Sequence, residues 1–225
     1  MTKDKRPALV LRFLAKIAVH NDREWMAAHR AEYDEARAAF EDLTADLIRA
    51  LAEVDPAVAP LTVRDCTYRF YRDTRFSPDK SPYKRHMGAY VNPRGKKSPH
   101  GGYYLHLQPG ACEIAGGAYC LEPKLLRAVR ESVVDRTDEF RAIVEESRFR
   151  TLFPVIGLDR VKTMPKGFPR DFPWPDYIRC KDYCVGHAVS DAFFDDPAWM
   201  DRAVDEFRVM KPFLDFVNDT IDDYL

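Results

Sequence analysis

Apolar residues open the chain at helical spacing. Leu9, Val10, Phe13, Leu14 and Ile17 recur every three or four positions and predict a helix over about 7–19. Asn21, with Glu24 three residues on, reads as the cap of a second helix. Its inward stripe is Trp25, His29, Tyr33, Ala36, Phe40, Leu43, Leu47 and Leu51. It should end before Asp55-Pro56, because the residue ahead of a proline avoids the helical region. The period then shortens to two. Cys66, Tyr68 and Phe70 alternate with Thr67, Arg69 and Tyr71, as in a half-buried strand. A loop with Pro78 and Pro82 follows, then strands over 85–91, 103–108 and 112–119. The basic turn Asn92-Pro93-Arg94-Gly95 and the turn Pro109-Gly110 fall between them.

Helical spacing returns at Pro123, with Leu125, Leu126, Val129 and Val133 inward. Thr137 is expected to cap the next helix, with Asp138 and Glu139 in its first turn. Residues 154–190 hold Pro165, Pro169, Pro173 and Pro175 and predict irregular chain. Asp196 should cap a last helix with Pro197 at its first position. Trp199, Ala203, Phe207, Met210, Leu214, Val217 and Ile221 form its core face, and Pro212 should kink or split it. Four strands with short connections between flanking helices predict an α+β fold. Its antiparallel sheet of about four to five strands packs with N- and C-terminal helices in one domain over 1–225.

Composition adds an asymmetry. The net charge is −1, which argues against a whole-molecule nucleic-acid or membrane binder. Residues 64–97 nevertheless hold ten Lys and Arg against three Asp, and 191–225 hold ten acids against Arg202, Arg208 and Lys211. The basic middle and acidic tail either pack together or leave a functional basic surface. No apolar run approaches the ~20 residues of a membrane span, and the N-terminus lacks a signal-peptide core. The five cysteines include no CxxC pair, which fits reduced thiols in a cytoplasm. Cys180 and Cys184 could meet on one helical turn, but read better as buried small hydrophobes.

The candidate chemistry lies in YRFYRDTRFSPDKSPYKRHMGAY, residues 68–90. Arg69, Arg72, Arg75, Lys80 and Lys84 could hold a phosphate or carboxylate. The competing reading pairs Arg72 or Arg75 with Asp73 or Asp79 as a structural clip. Alternation places Arg69, Tyr71, Asp73, His86, Tyr90, Tyr104, His106, Gln108 and Glu113 on one strand face. Covered, that face is a pocket in which His86, His106, Asp73 and Tyr71 are candidates for acid/base work; uncovered, it is a wetted sheet surface. A metal at His86, His100, His106 and Glu113 has no motif behind it, and none is assigned. There is no GxGxxG, P-loop or GxSxG, so no cofactor is assigned either. Gly101-Gly102 and Gly116-Gly117 read as a turn and as close strand contacts.

Several longer segments then carry a likeness. These are FLAKIAVHNDREWMAAHRAEYDEAR, CTYRFYRDTRFSPDKSPYKRHMGAYV, GGYYLHLQPG, MPKGFPRDFPW and MKPFLDFVND. In them the chain resembles the domain of unknown function 2461 family of bacterial and fungal proteins, over nearly its whole length. The resemblance implies one α+β domain and supplies no reaction, cofactor or catalytic residue. The leading expectation is therefore a cytoplasmic protein binding a small anionic ligand at the basic segment. The alternatives are a nucleic-acid-binding module using Arg94, Lys96, Lys97 and nearby tyrosines, and an interaction domain docking an acidic partner.

Overall fold

The structure is a computed structural model that describes residues 4–225. The first half holds α1 (Arg6–Val19), α2 (Arg23–Ala28), α3 (Arg30–Leu51) and the short α4 (Val63–Cys66). Three strands follow: β1 (Met87–Val91), β2 (Gly102–Leu107) and β3 (Cys112–Ala118). Then come α5 (Pro123–Asp135), α6 (Thr137–Val144), α7 (Ser147–Leu152) and α8 (Pro175–Ile178). β4 (Tyr183–Val189) completes the sheet, and α9 (Trp199–Tyr224) closes the chain. The sheet is antiparallel throughout, in the order β1-β2-β3-β4, so the α+β class with flanking terminal helices holds.

Register separates the two faces. Ala89, Leu105 and Ile114 lie side by side and are fully buried. α9 crosses this face at β3. The approach is close: a Cβ at Gly116 would lie 2.4 Å from Met210 Sδ and 2.7 Å from the Gly102 carbonyl, so only glycine fits. Tyr103 meets Phe207 edge to face at 5.5 Å, and the buried Glu206 accepts from His187 Nδ1 at 2.8 Å. α1 packs on α3 beside α9, and one continuous set of buried side chains runs from Val10 to Ile221. The opposite face carries Gly88, His106, Glu113 and Ala188 in one row and Tyr90, Tyr104, Ala115 and Gly186 in the next. Tyr90, Tyr104, His106 and Glu113 share the face expected of them.

Several sequence expectations need correction. The strand over 66–71 is absent. Cys66 ends α4, whose Thr62–Asp65 capping box forms a helical turn there, and Thr67 makes a single bridge to Ala89. Residues 70–72 and 82–84 instead form a narrow hairpin. The Arg72 N–H donates to the Pro82 carbonyl at 2.9 Å, the Lys84 N–H to the Phe70 carbonyl at 3.0 Å, and Tyr71 bridges Tyr83. Pro82 has no N–H to return to Arg72, so the ladder cannot lengthen toward the loop. The expected second helix is two, broken at His29. Asp22, not Asn21, caps α2, accepting from the Trp25 N–H at 2.7 Å. Thr137 opens α6 but spends its hydroxyl on the carbonyls of Val133 and Val134. α9 begins at Trp199 rather than Pro197, with the Asp196 carboxylate accepting from the Ala198 N–H at 2.9 Å. It runs unbroken through Pro212, because Pro212 and Arg208 both face solvent and water can take the released carbonyl. The 154–190 stretch contains α8 and β4. Cys180 and Cys184 are both buried free thiols.

Asn21 serves a different purpose from capping. Its side-chain amide donates to the Tyr83 carbonyl and its carbonyl accepts from the Tyr83 N–H, each at 3.0 Å. This two-way bond hangs the hairpin on the α1–α2 corner. Asn21→Ala should cost about 1–3 kcal/mol, because it leaves a half-buried donor and acceptor unpaired. Asp22→Ala should cost about 1 kcal/mol, as a lost cap does. Denaturant unfolding of the two variants checks this order.

Candidate functional site

Between α3, the 64–71 segment and the β1 end of the sheet lies a cleft of about 440 Å³. α3 contributes Tyr33, Arg37 and Glu41, which share one side of the helix at four-residue steps. The 64–71 segment contributes Arg64, Tyr68, Arg69 and Tyr71, with Phe70 turned into the core between Arg69 and Tyr71. Phe70 packs against Phe13 and Tyr33 at 5.9 and 5.3 Å between ring centres, which fixes its neighbours outward. Lys84, His86 and Lys96 complete the walls, and Gly88 and Tyr104 lie among the lining residues. Tyr104 lies flat because β1 has no side chain at Gly88; a Cβ there would meet its hydroxyl at 2.4 Å.

The charge is one-sided. Arg37, Arg64, Arg69, Lys84 and Lys96 face the cleft against Glu41, which Arg37 holds at 2.7 Å. Lys96 donates to the carbonyls of Thr67 and Arg64 at 2.5 and 2.6 Å. Lys84 and Lys96 stand 5.2 and 5.3 Å from the centre of the Tyr68 ring. Among the described residues no carboxylate pairs with Arg64, Arg69 or Lys84. Burial and the Arg69 charge hold the Lys84 ammonium below its usual range. Burial, then His106 and Lys84, hold the His86 imidazole down to about 4, so it is neutral at pH 7.

Behind His86 the groups form a short array. The His86 and His106 rings are 4.5 Å apart. His106 Nδ1 meets the Tyr104 hydroxyl at 2.8 Å, and its Nε2 faces Gln108 Oε1 at 3.5 Å. With Nε2–H directed to Gln108, Nδ1 accepts from Tyr104. Burial lowers His106, pushes Tyr104 up to about 12, and raises Glu113. Burial thus favours the uncharged form of each of these groups.

The sequence-predicted residues divide. Arg69, Tyr71, Lys84 and His86 line the cleft, and His106 stands directly behind His86. Arg72 is turned into its own loop, bonding Asp79 at 2.6 Å, the Ser81 carbonyl at 3.1 Å and the Ser81 hydroxyl. Arg75 pairs with Asp73 at 2.6 Å and holds that carboxyl near 2. Lys80 donates to the Thr74 carbonyl at 2.9 Å. Arg72, Asp73, Arg75 and Lys80 therefore lie outside the cleft. His100 is apart from the other histidines, held by Ser98 and Asp222. No group of three or more metal-ligating side chains gathers among the described residues. Arg37, Glu41 and Arg64 were not singled out by sequence reasoning. On α3, Arg37 and Glu41 read as ordinary solvated charge, and only the Tyr33–Arg37–Glu41 spacing marked them as one face.

No curated protein and no solved structure matches the chain. The sequence profile of a family described as a conserved hypothetical protein (DUF2461) matches residues 9–216 of the 225, and the chain belongs to that family.

Proposed function

We propose that the protein binds a small phosphorylated or carboxylated ligand in the cleft between α3, the hairpin and the sheet. One observation carries this reading. Lys84 is partly buried beside Arg69, with no carboxylate partner among the described residues. Withdrawing an ammonium from water next to another cation is unfavourable, and an anion seated between them reverses the sign of that interaction. Arg64 and Lys96 enlarge the positive field, and Tyr68 and Tyr71 supply half-exposed phenol rings beside it. The volume of about 440 Å³ falls within the roughly 300–1,000 Å³ of small-molecule sites. Acid/base work on a bound ligand falls to His86 and Tyr71 in the cleft, with His106 behind; Asp73 is committed to Arg75. Five free thiols, four of them buried, fit a reducing compartment, and the proposed location is the cytoplasm. No described helix is long and apolar enough to cross a membrane.

A thermal-shift panel of phosphate, sugar phosphates, nucleotides and short carboxylates at low salt tests the reading. At least one small anion should raise the unfolding midpoint by several degrees, since ligand at a hundred times its Kd adds roughly 2.7 kcal/mol. Silence across the panel would overturn it. A response confined to single-stranded DNA or RNA, falling steeply with salt, would mark the basic surface as a nucleic-acid site.

Two substitutions separate ligand contacts from structural ones. Lys84→Ala should weaken anion binding roughly 10- to 100-fold, the loss of one charge-assisted contact. Arg72→Ala should lower the unfolding midpoint and leave affinity within about twofold, because its guanidinium is spent on its own loop. Titration of both variants with the best anion of the panel reads the difference.

A further inference from the structure

His86 sits where a bound anion would be felt, and its surroundings are unusually poor in negative charge. From its own segment comes Lys84, two residues away and in the same cleft. From β2 come the His106 ring at 4.5 Å and the Tyr104 phenol. From the 64–71 segment come Arg64, Tyr68, Arg69 and Tyr71, and from the β1–β2 turn comes Lys96. α3 presents Tyr33, Arg37 and the single carboxylate of the cleft, Glu41, which is already paired. Glu113 lies one strand farther on, opposite His106 in the register, and burial favours its neutral form. A half-buried imidazole in such a field stays neutral.

We infer that the cleft selects a doubly charged oxyanion and that His86 takes up a proton from solvent when this ligand binds. The inference rests on the anion-binding reading and adds the ligand's charge class and the proton. One bond forms, between that proton and a free ring nitrogen of His86. The imidazole becomes an imidazolium able to donate to the ligand. Two ligand charges match the surplus better than one: among the described residues Arg64, Arg69 and Lys84 make no ion pair, and the Asp65 and Asp73 charges that reach Arg64 and Arg69 stand outside the cleft, Asp73 already paired with Arg75. Burial, the largest cause of the depressed His86 pKa, remains in the complex, but two ligand charges oppose the smaller contributions of His106 and Lys84 and attract the imidazolium directly, so the bound imidazole titrates higher than the free one.

The sign follows. In the free protein burial, His106 and Lys84 hold His86 down to about 4, so it gains its proton only around and below that pH. In the complex its pKa is higher, so binding adds a proton at any pH between the two values. Affinity therefore rises as pH falls through the upper value and levels off near the lower one. His106 and Glu113 titrate nearby and are the competing proton acceptors.

Inorganic sulfate is the probe, because it stays a dianion across the range and contributes no titration of its own. Calorimetric titration from pH 8 to pH 5 should show sulfate binding roughly tenfold tighter at pH 5 than at pH 7. Acetate, a monoanion, should bind at least about tenfold more weakly than sulfate at pH 7. His86→Gln should flatten the pH profile, whatever its absolute affinity, and His106→Gln should keep most of the slope. Should His86→Gln fail to fold, wild-type titrations in buffers of different ionisation heat count the same proton directly. Sulfate binding with no proton uptake overturns the inference and leaves the anion site standing. A slope that survives in His86→Gln, or disappears in His106→Gln, overturns the assignment to His86. No sulfate binding at any pH overturns both the inference and the cleft as an oxyanion site.

Discussion

The close seating of α9 on β3 is the constraint from which the arrangement follows. Gly116 lets the helix backbone approach until Met210 fills the space a side chain would take. That contact, with Tyr103 against Phe207, commits one face of the sheet to the core. Strand pleat then sends Tyr104, His106 and Glu113 to the other face without alternative, since a one-residue slip would drive them into α9. The polar array is thus a consequence of core packing as much as of any selection at the site. This is why its position was legible from alternation before the fold was known.

The basic segment obeys a second division, between cations that hold the chain and cations that face outward. Arg72, Arg75 and Lys80 each find partners within ten residues in their own loop. Exposed pairs of this kind contribute little individually, but Arg72 gathers a carboxylate, a carbonyl and a hydroxyl, which closes the loop as a unit. Arg69 and Lys84 sit at the base of the same hairpin and have no such partners. The distinction is one of geometry. Near the tip the chain reverses on itself and brings acids to arginines; at the base it spreads against α3 and the sheet, where Glu41 is held by Arg37 and Asp73, whose charge reaches Arg69, is held by Arg75.

Much of this was readable in the sequence, and the failures have physical causes. Phe70 inward with Arg69 and Tyr71 outward was correct in direction even though no strand forms there, but Tyr68, expected on the side of Phe70, is about half exposed and lines the cleft. The helical turn that ends at Cys66 breaks the alternation before Tyr68. The surplus of cations in 64–97 pointed to the right region but not to the right members, because pairing inside a loop depends on how the loop closes. Asn21 and Asp22 are equally good caps by type. What sets them apart is Tyr83, 62 residues away, which no local rule can see. β4 was hidden because Tyr183, Cys184 and Val185 are all buried, so the strand shows no alternation, and prolines precede it.

The cleft also differs in stiffness around its rim. Its floor is sheet and one wall is α3, both tied into the core through residues such as Ala89 and Phe40. The other wall is the hairpin, held by Phe70 among Phe13, Tyr33 and Tyr83, and by the paired bonds from Asn21. Those are few attachments for a segment that presents both Arg69 and Lys84. The mutual repulsion of these two cations acts against the same attachments whenever the cleft holds no anion. An anion between them would relieve that repulsion and stiffen the hairpin at once. Under the proposed reading, ligand affinity and the local stability of the hairpin would therefore be coupled, with Asn21 acting on the first only through the second.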